Sequence, residues 1–154
     1  MRFKDWLEDY QMNHRPPDGD FGAPLHDLTK IYPHDIYDTV HQYAVDDMER
    51  ESGHLAKRYR GRPEREAWIF RAVPKGVRTI NSGDWVTINR GYAIQHSKHP
   101  SDPGQDMDVI AARVPASQIH TDGNSLAEWG YNGTETLKCI LSYKPRRRSG
   151  AKDI

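Results

Sequence analysis

Three short segments hold the residues best suited to chemistry, in the order cation, polar strand, carboxylate. The first is Trp68-Ile69-Phe70-Arg71-Ala72-Val73, where a guanidinium stands among apolar neighbours. The second is Gly83-Asp84-Trp85-Val86-Thr87-Ile88-Asn89-Arg90-Gly91-Tyr92-Ala93. The third is Glu128-Trp129-Gly130-Tyr131, a carboxylate set beside aromatic rings. A guanidinium held on a strand can grip phosphate or ribose oxygens bidentately. Thr87 and Asn89 alternate with Val86 and Ile88, so both leave one strand face and can hydrogen-bond a sugar or an amide. Trp85 and Tyr92 offer stacking surfaces beside them. A carboxylate next to Trp129 and Tyr131 is partly desolvated, so its charge is felt strongly by a nearby cation. Together the three suit a site that holds a dinucleotide and stabilises a positively charged sugar in a transition state.

Each segment also has a plainer reading. Arg71 can be a sheet-edge arginine paired with a carboxylate, since a charge among apolar neighbours is rarely buried alone. Thr87 and Asn89 can belong to a half-solvated strand, with Tyr92 and Ala93 as helix core. Glu128 can cap or end a short helix on the surface, with Trp129 as a core plug.

Positioning these groups requires strands and a helix in the second half of the chain. Trp68–Val73 and Trp85–Ile88 read as β runs, with Gly83-Asp84 as the turn before the second. Arg90–His96 reads as a helix leaving that second strand. Asp108–Val114 is a strong strand ended by Pro115, followed by a small turn or bridge over Ala116–Ile119 and a polar loop over His120–Leu126. Leu137, Cys139, Leu141 and Tyr143 make the clearest period-two strand. The first half reads as helical: an amphipathic helix over Phe3–Met12, a Pro/Gly/Asp loop over His14–Gly22, a helix start at Asp35-Ile36-Tyr37, and a longer helix over Tyr43–Tyr59. The pattern predicts an α+β fold, with helices first and a mixed or antiparallel sheet after.

At 154 residues the chain has single-domain length. We divide it into one domain over 1–145, comprising a helical and loop part over 1–62 and a β-rich core over 67–144, and a basic tail over 146–154. Positive and negative side chains balance at 22 each, so no global field draws in nucleic acid. Mean hydropathy is -0.90, no apolar run approaches the ~20 residues of a membrane span, and Met1–Asp5 does not open a signal peptide. Cys139 is the only cysteine, which excludes an internal disulfide and a thiolate zinc cluster. The expected setting is a reducing cytoplasm.

The 8 histidines lie at irregular intervals and form no His-Glu-x-x-His pair. His96 and His99 share a spacing of three, without a third ligand nearby, so no metal site is expected. No Gly-x-Ser-x-Gly elbow and no Walker or Rossmann glycine loop is present.

Across Ile69–Tyr143, about half of the chain, the order of these motifs resembles the ADP-ribosyltransferase fold of bacterial toxins and phage-encoded effectors. Phe70-Arg71-Ala72 matches the family's arginine on the first core strand. Val86-Thr87-Ile88-Asn89-Arg90-Gly91-Tyr92-Ala93 resembles its Ser/Thr strand running into a helix with a Tyr-Ala pair. Glu128-Trp129-Gly130-Tyr131, leading into Cys139–Tyr143, resembles the glutamate, aromatic and strand pattern of the polymerase branch. The departures are specific. The Ser-Thr-Ser triplet is reduced to Thr87 with Asn89, and no Glu-x-Glu or Gln-x-Glu pair precedes a strand. Glu135 and Asp108 are rival acids.

The resemblance implies an ADP-ribosyltransferase-like mixed or antiparallel β core and a mono-ADP-ribosyltransferase activity, with NAD as substrate and no metal or membrane. It implies Glu128 and Arg71 as catalytic residues and Arg71, Ala72, Thr87, Asn89, Tyr92 and Trp129 as NAD-binding. The acceptor is expected to be a macromolecule, protein rather than nucleic acid, in the cytoplasm of the host cell if the chain is phage-encoded. Two alternatives stay open. One is a NAD glycohydrolase. The other is a non-catalytic binding module in which Arg71 and Glu128 form a structural ion pair and the aromatic residues make a partner face.

Overall fold

A computed structural model describes residues 22–145. The helix expected over Phe3–Met12, residues 14–21 of the following loop and the basic tail lie outside the described residues. Within them the chain is α+β, with few helices and antiparallel strand pairing in every named sheet. The strands are β1 (Ala23–Pro24), β2 (Glu66–Val73), β3 (Thr79–Ile80), β4 (Trp85–Val86), β5 (Asp108–Pro115), β6 (Ile119–Thr121), β7 (Trp129–Tyr131), β8 (Leu137–Lys138) and β9 (Ile140–Tyr143). The α-helices are α1 (Val40–Tyr43), α2 (Asp47–Lys57) and α3 (Arg90–Ser97), with short 3-10 turns between elements.

The strands form a four-stranded sheet β1-β6-β7-β4, a three-stranded sheet β2-β5-β9 and a small pair β3-β8. β5 is buried and apolar from Val109 to Ala112, flanked in the sheet by β2 and β9 and packed over in part by α3. Its unbroken apolar run in the sequence is the mark of a strand buried on both sides. β2 alternates instead, with Ala67 and Ile69 buried and Trp68 turned outward. One core gathers Ile69, Val86, Ile110, Ile119, Leu126 and Trp129. A smaller cluster of Ala72, Trp85 and Met107, with Tyr92 against it, sits beside α3.

The helix expected over Tyr43–Tyr59 is confined to α2, because Asp46 caps its start, and Tyr43 ends the separate α1. The Asp46 side chain accepts the Glu49 N–H at 2.8 Å, and Asp47 and Glu49 in the first turn favour the helix dipole, as do His54 and Lys57 in the last. Gly53 faces inward on α2. A Cβ there would lie 2.5 Å from Val40 Cγ1 and 3.3 Å from Leu126 Cδ1. The gain in helix propensity for Gly53→Ala is about 1 kcal/mol, whereas overpacking a filled core costs about 1–3 kcal/mol. Urea unfolding is therefore expected to show Gly53→Ala less stable than the parent.

Three sequence expectations need correction. The first part is not helical alone, since β1 pairs with β6 at Ala23↔Thr121 and Pro24↔His120. Two residues are too few to show alternation. Ile119–Thr121, divided between the expected turn over Ala116–Ile119 and the expected polar loop over His120–Leu126, is the buried strand β6, lying between β1 and β7. The strand expected over Leu137–Tyr143 breaks at Cys139 into β8, which pairs with β3, and β9, which edges β5. Its burial is slight and does not alternate through β9: Ile140 is 59% exposed and its neighbour Leu141 41%.

Candidate active site

The three segments of interest lie side by side. Phe70 N–H donates to Thr87 O at 2.8 Å and Thr87 N–H to Phe70 O at 2.9 Å, a single bridge that joins the two larger sheets. On the other side of β4, Trp85 stands opposite Gly130 and Val86 opposite Trp129. One further step of that register brings Thr87 level with Glu128. Segments β2, β4 and β7 are thus neighbours, and the outer two are about 10 Å apart at ordinary strand spacing.

Past the Phe70–Thr87 bridge, β2 and β4 no longer pair, and Arg71 fills the gap. Its Nη1 donates to Trp85 O at 2.6 Å, and its Nε lies 3.9 Å from Asp84 Oδ2. The side chain is 17% exposed. Burial lowers its pKa and Asp84 opposes that, so the group stays a cation, as guanidinium does throughout the working pH range. The rest of its fork has no hydrogen-bond acceptor among the described residues. Arg71 pairs with Asp84 and not with Glu128, so the structural Arg71–Glu128 pair is not what holds this seam together.

Thr87 and Asn89 are spent on the protein itself. Thr87 is fully buried, and its Oγ1 accepts the Asn89 N–H at 3.1 Å. Asn89 is the N-cap of α3: its Oδ1 accepts the Tyr92 N–H at 3.3 Å. Its Nδ2 donates to Ser52 Oγ at 3.3 Å and to Met48 O at 3.4 Å, tying α3 to α2. In place of a sugar-facing pair, the two residues set where α3 begins.

That start aims Tyr92 at Glu128. The phenol donates to Glu128 Oε2 at 2.9 Å, and its ring lies 4.2 Å from that of His96, one turn along α3. Burial first, then the nearby Glu128 carboxylate, push the phenol far above its ordinary pKa, so it remains a donor. Glu128 sits half-buried one residue before β7. Burial is the main cause that raises its pKa from 4.5 to about 7; Asp122 and Glu49 add repulsion, and the Tyr92 bond pulls the other way. Near neutral pH this carboxyl populates both protonation states, the condition for proton transfer at low cost.

Trp129 and Ala72 support the site from behind. Trp129 is fully buried, with its Nε1 donating to Leu126 O at 2.7 Å, so it offers no face for stacking. Ala72 packs in the small cluster under Tyr92. The rival acids are elsewhere engaged or placed. Asp108 is fully buried, its Oδ2 accepting from Arg78 Nη1 at 3.0 Å and from the Gly76 N–H at 3.3 Å. Glu135 lies on an exposed turn beside a separate cavity of about 200 Å³ shared with Arg113, Gln118 and Tyr131. His99 accepts the Asp102 N–H at 2.8 Å in its own loop while His96 stays on Tyr92. Among the described residues no group of three His, Cys, Asp or Glu could hold a metal, and no helix is long and apolar enough to cross a membrane.

Two polar residues that sequence reasoning passed over touch this site. Ser125, read only as part of the polar loop over His120–Leu126, donates its hydroxyl to Glu49 Oε2 at 3.2 Å and accepts the Glu128 N–H on its carbonyl at 3.3 Å. Glu49 carries no motif. Its only sequence signal is its place three residues after the α2 cap. No protein-family model matches this chain, and no curated protein or solved structure matches it either. The fold and site define an α+β domain with a carboxyl–phenol pair at the head of one strand and a strand-held guanidinium two strands away.

Proposed function

We propose that this protein is a NAD-dependent ADP-ribosyltransferase, of the phage or bacterial effector kind, that transfers ADP-ribose to a macromolecular acceptor, protein rather than nucleic acid. The observation that carries the reading is the 2.9 Å contact between Tyr92 and the half-buried Glu128 carboxyl, with Arg71 two strands away. Cleavage of the nicotinamide–ribose bond passes through an oxocarbenium-like sugar, as glycoside cleavage does. Nicotinamide leaves with the bonding electron pair, and positive charge grows on the ribose. A fixed Glu128 carboxylate gains interaction as that charge develops, which lowers the barrier without tightening the ground state. The acceptor nucleophile then bonds to the same ribose carbon and loses its proton, for which Glu128 is the available base. Arg71 binds the pyrophosphate through the part of its fork that Trp85 O and Asp84 leave free.

The reading is tested by incubating the full chain with NAD, with and without host lysate, and following free nicotinamide, free ADP-ribose and protein mass. Nicotinamide release with an added mass of one ADP-ribose on a lysate protein is the expected result. Free ADP-ribose in the absence of lysate at the same rate would mean a glycohydrolase, and no release in any condition would sink the enzymatic reading.

Tyr92→Phe gives a finer test. Removing the phenol takes away a hydrogen bond that favours the ionised Glu128, so the carboxyl pKa rises further. The pH–rate curve for nicotinamide release is expected to move to higher pH, with a drop of about tenfold at neutral pH.

A further inference from the structure

The turn that carries Glu128 is held from α2 by contacts the proposed chemistry does not use. Ser125 is the hub. Its hydroxyl donates to Glu49 Oε2 at 3.2 Å and accepts the Ala127 N–H at 3.1 Å. Its carbonyl accepts both the Glu128 N–H at 3.3 Å and the Thr121 hydroxyl at 3.2 Å. Glu49 is itself fixed. Its N–H is taken by the Asp46 cap at 2.8 Å, and its second oxygen accepts the Val45 N–H at 3.4 Å. A chain of bonds therefore runs from the α2 cap through Glu49 and Ser125 to the backbone of Glu128. The same helix is tied to the start of α3 through Ser52 and Asn89, and so to Tyr92. Both members of the Tyr92–Glu128 contact are thus referenced to the first two turns of α2.

We propose that Glu49 is a positioning residue for the Glu128 carboxyl, acting through Ser125, so that α2 belongs to the active site and is not a cap on the sheet. The proposal rests on the ADP-ribosyltransferase reading for its kinetic consequence but not for its structural one. Two effects of Glu49 are separable. Its hydrogen bond to Ser125 fixes where Glu128 stands. Its charge, together with that of Asp122 in the same turn, opposes ionisation of Glu128, while Tyr92 on α3 favours it.

The test uses the full chain and two variants, with Glu128→Gln as reference. Ser125→Ala removes the hydroxyl and keeps every charge. It is expected to lower kcat for nicotinamide release about tenfold at nearly unchanged KM, because the reacting carboxyl loses its placement. Glu49→Gln keeps an acceptor for Ser125 and removes the charge. It is expected to retain kcat at high pH and to lower the midpoint of the pH–rate curve by roughly half a unit, Glu49 being a lesser contributor than burial. Side-chain ¹³C NMR titration of Glu128, assigned by its absence in Glu128→Gln, reads the same midpoint without any turnover. A wild-type kcat in Ser125→Ala overturns the positioning role, and a midpoint unmoved in Glu49→Gln overturns the charge effect. Undiminished nicotinamide release in Glu128→Gln overturns the reaction instead, and a midpoint that still moves in Glu49→Gln would then sustain the contact by itself.

Discussion

Replacing Glu128 with glutamine is expected to cut nicotinamide release from NAD by about 10²–10³-fold, the usual worth of one group aimed at developing charge. The amide is nearly isosteric and can still accept from Tyr92, so folding should survive, and circular dichroism checks that. What glutamine lacks is the negative charge that the oxocarbenium-like sugar draws on and the basicity to take the acceptor's proton. In the parent, release should rise with pH through a midpoint near 7, because the carboxylate is the active form and burial holds its pKa at about 7. The variant should show no such rise. Stability should move the other way. Glu128 ionises near 4.5 when unfolded and near 7 when folded, so between those values the native state holds the extra proton. Stability from this group is therefore full below about pH 4.5 and is lost as pH rises through 7. Glutamine escapes that loss. Glu128→Gln should be more stable than the parent at pH 8 by about 1–2 kcal/mol, discounted from the full shift for partial exposure, and equal to it near pH 4. A variant that is inactive and more stable at pH 8 is the signature of a group kept for chemistry at a cost to the fold. One that is active and no more stable would remove Glu128 from the mechanism.

Much of the fold was legible wherever a segment meets one kind of neighbour along its length. β5 shows its burial as the apolar run Val109–Ala112, and α3 follows the Asn89 cap as the motif order suggested. The order of the three motifs also brought them to adjacent strands. What the sequence hid was of two kinds. Pairs of two or three residues such as β1 and β6 owe their existence to long-range pairing and have no local period. Polar side chains carry no sign of their direction, either. Thr87 and Asn89 look like a sugar-binding pair until Thr87 is found bonded to the Asn89 backbone and Asn89 to α2. Trp85 looks like a ring for stacking until it is found buried with Ala72 and Met107. The clamp on Glu128 shows the same limit, because Glu49 and Ser125 are 76 residues apart and neither belongs to a motif.

Arg71→Lys should separate a guanidinium that binds from one that merely fills the gap between β2 and β4. Lysine keeps the charge, so it can still face Asp84 or reach the Trp85 carbonyl, but it cannot do this and present a second pair of N–H groups to an anion. Lysine can keep only one of the two contacts, and losing the other is expected to cost about 1.5–3 kcal/mol in urea unfolding, the range for a hydrogen bond with one charged partner. Losing the fork should cost much more in function: kcat/KM for NAD is expected to fall by about 10²-fold, mainly through KM, because pyrophosphate contacts act in ground state and transition state alike. The direct check is the thermal melt with NAD. A ligand at a hundred times its Kd raises native-state stability by about 2.7 kcal/mol, and that rise should be present in the parent, kept in Glu128→Gln and lost in Arg71→Lys. If Arg71→Lys loses stability yet keeps the NAD-dependent rise, Arg71 is a wedge between sheets and the anion site lies elsewhere. If it loses the rise while Glu128→Gln keeps it, binding and bond cleavage are divided between the two residues, one on each side of β4.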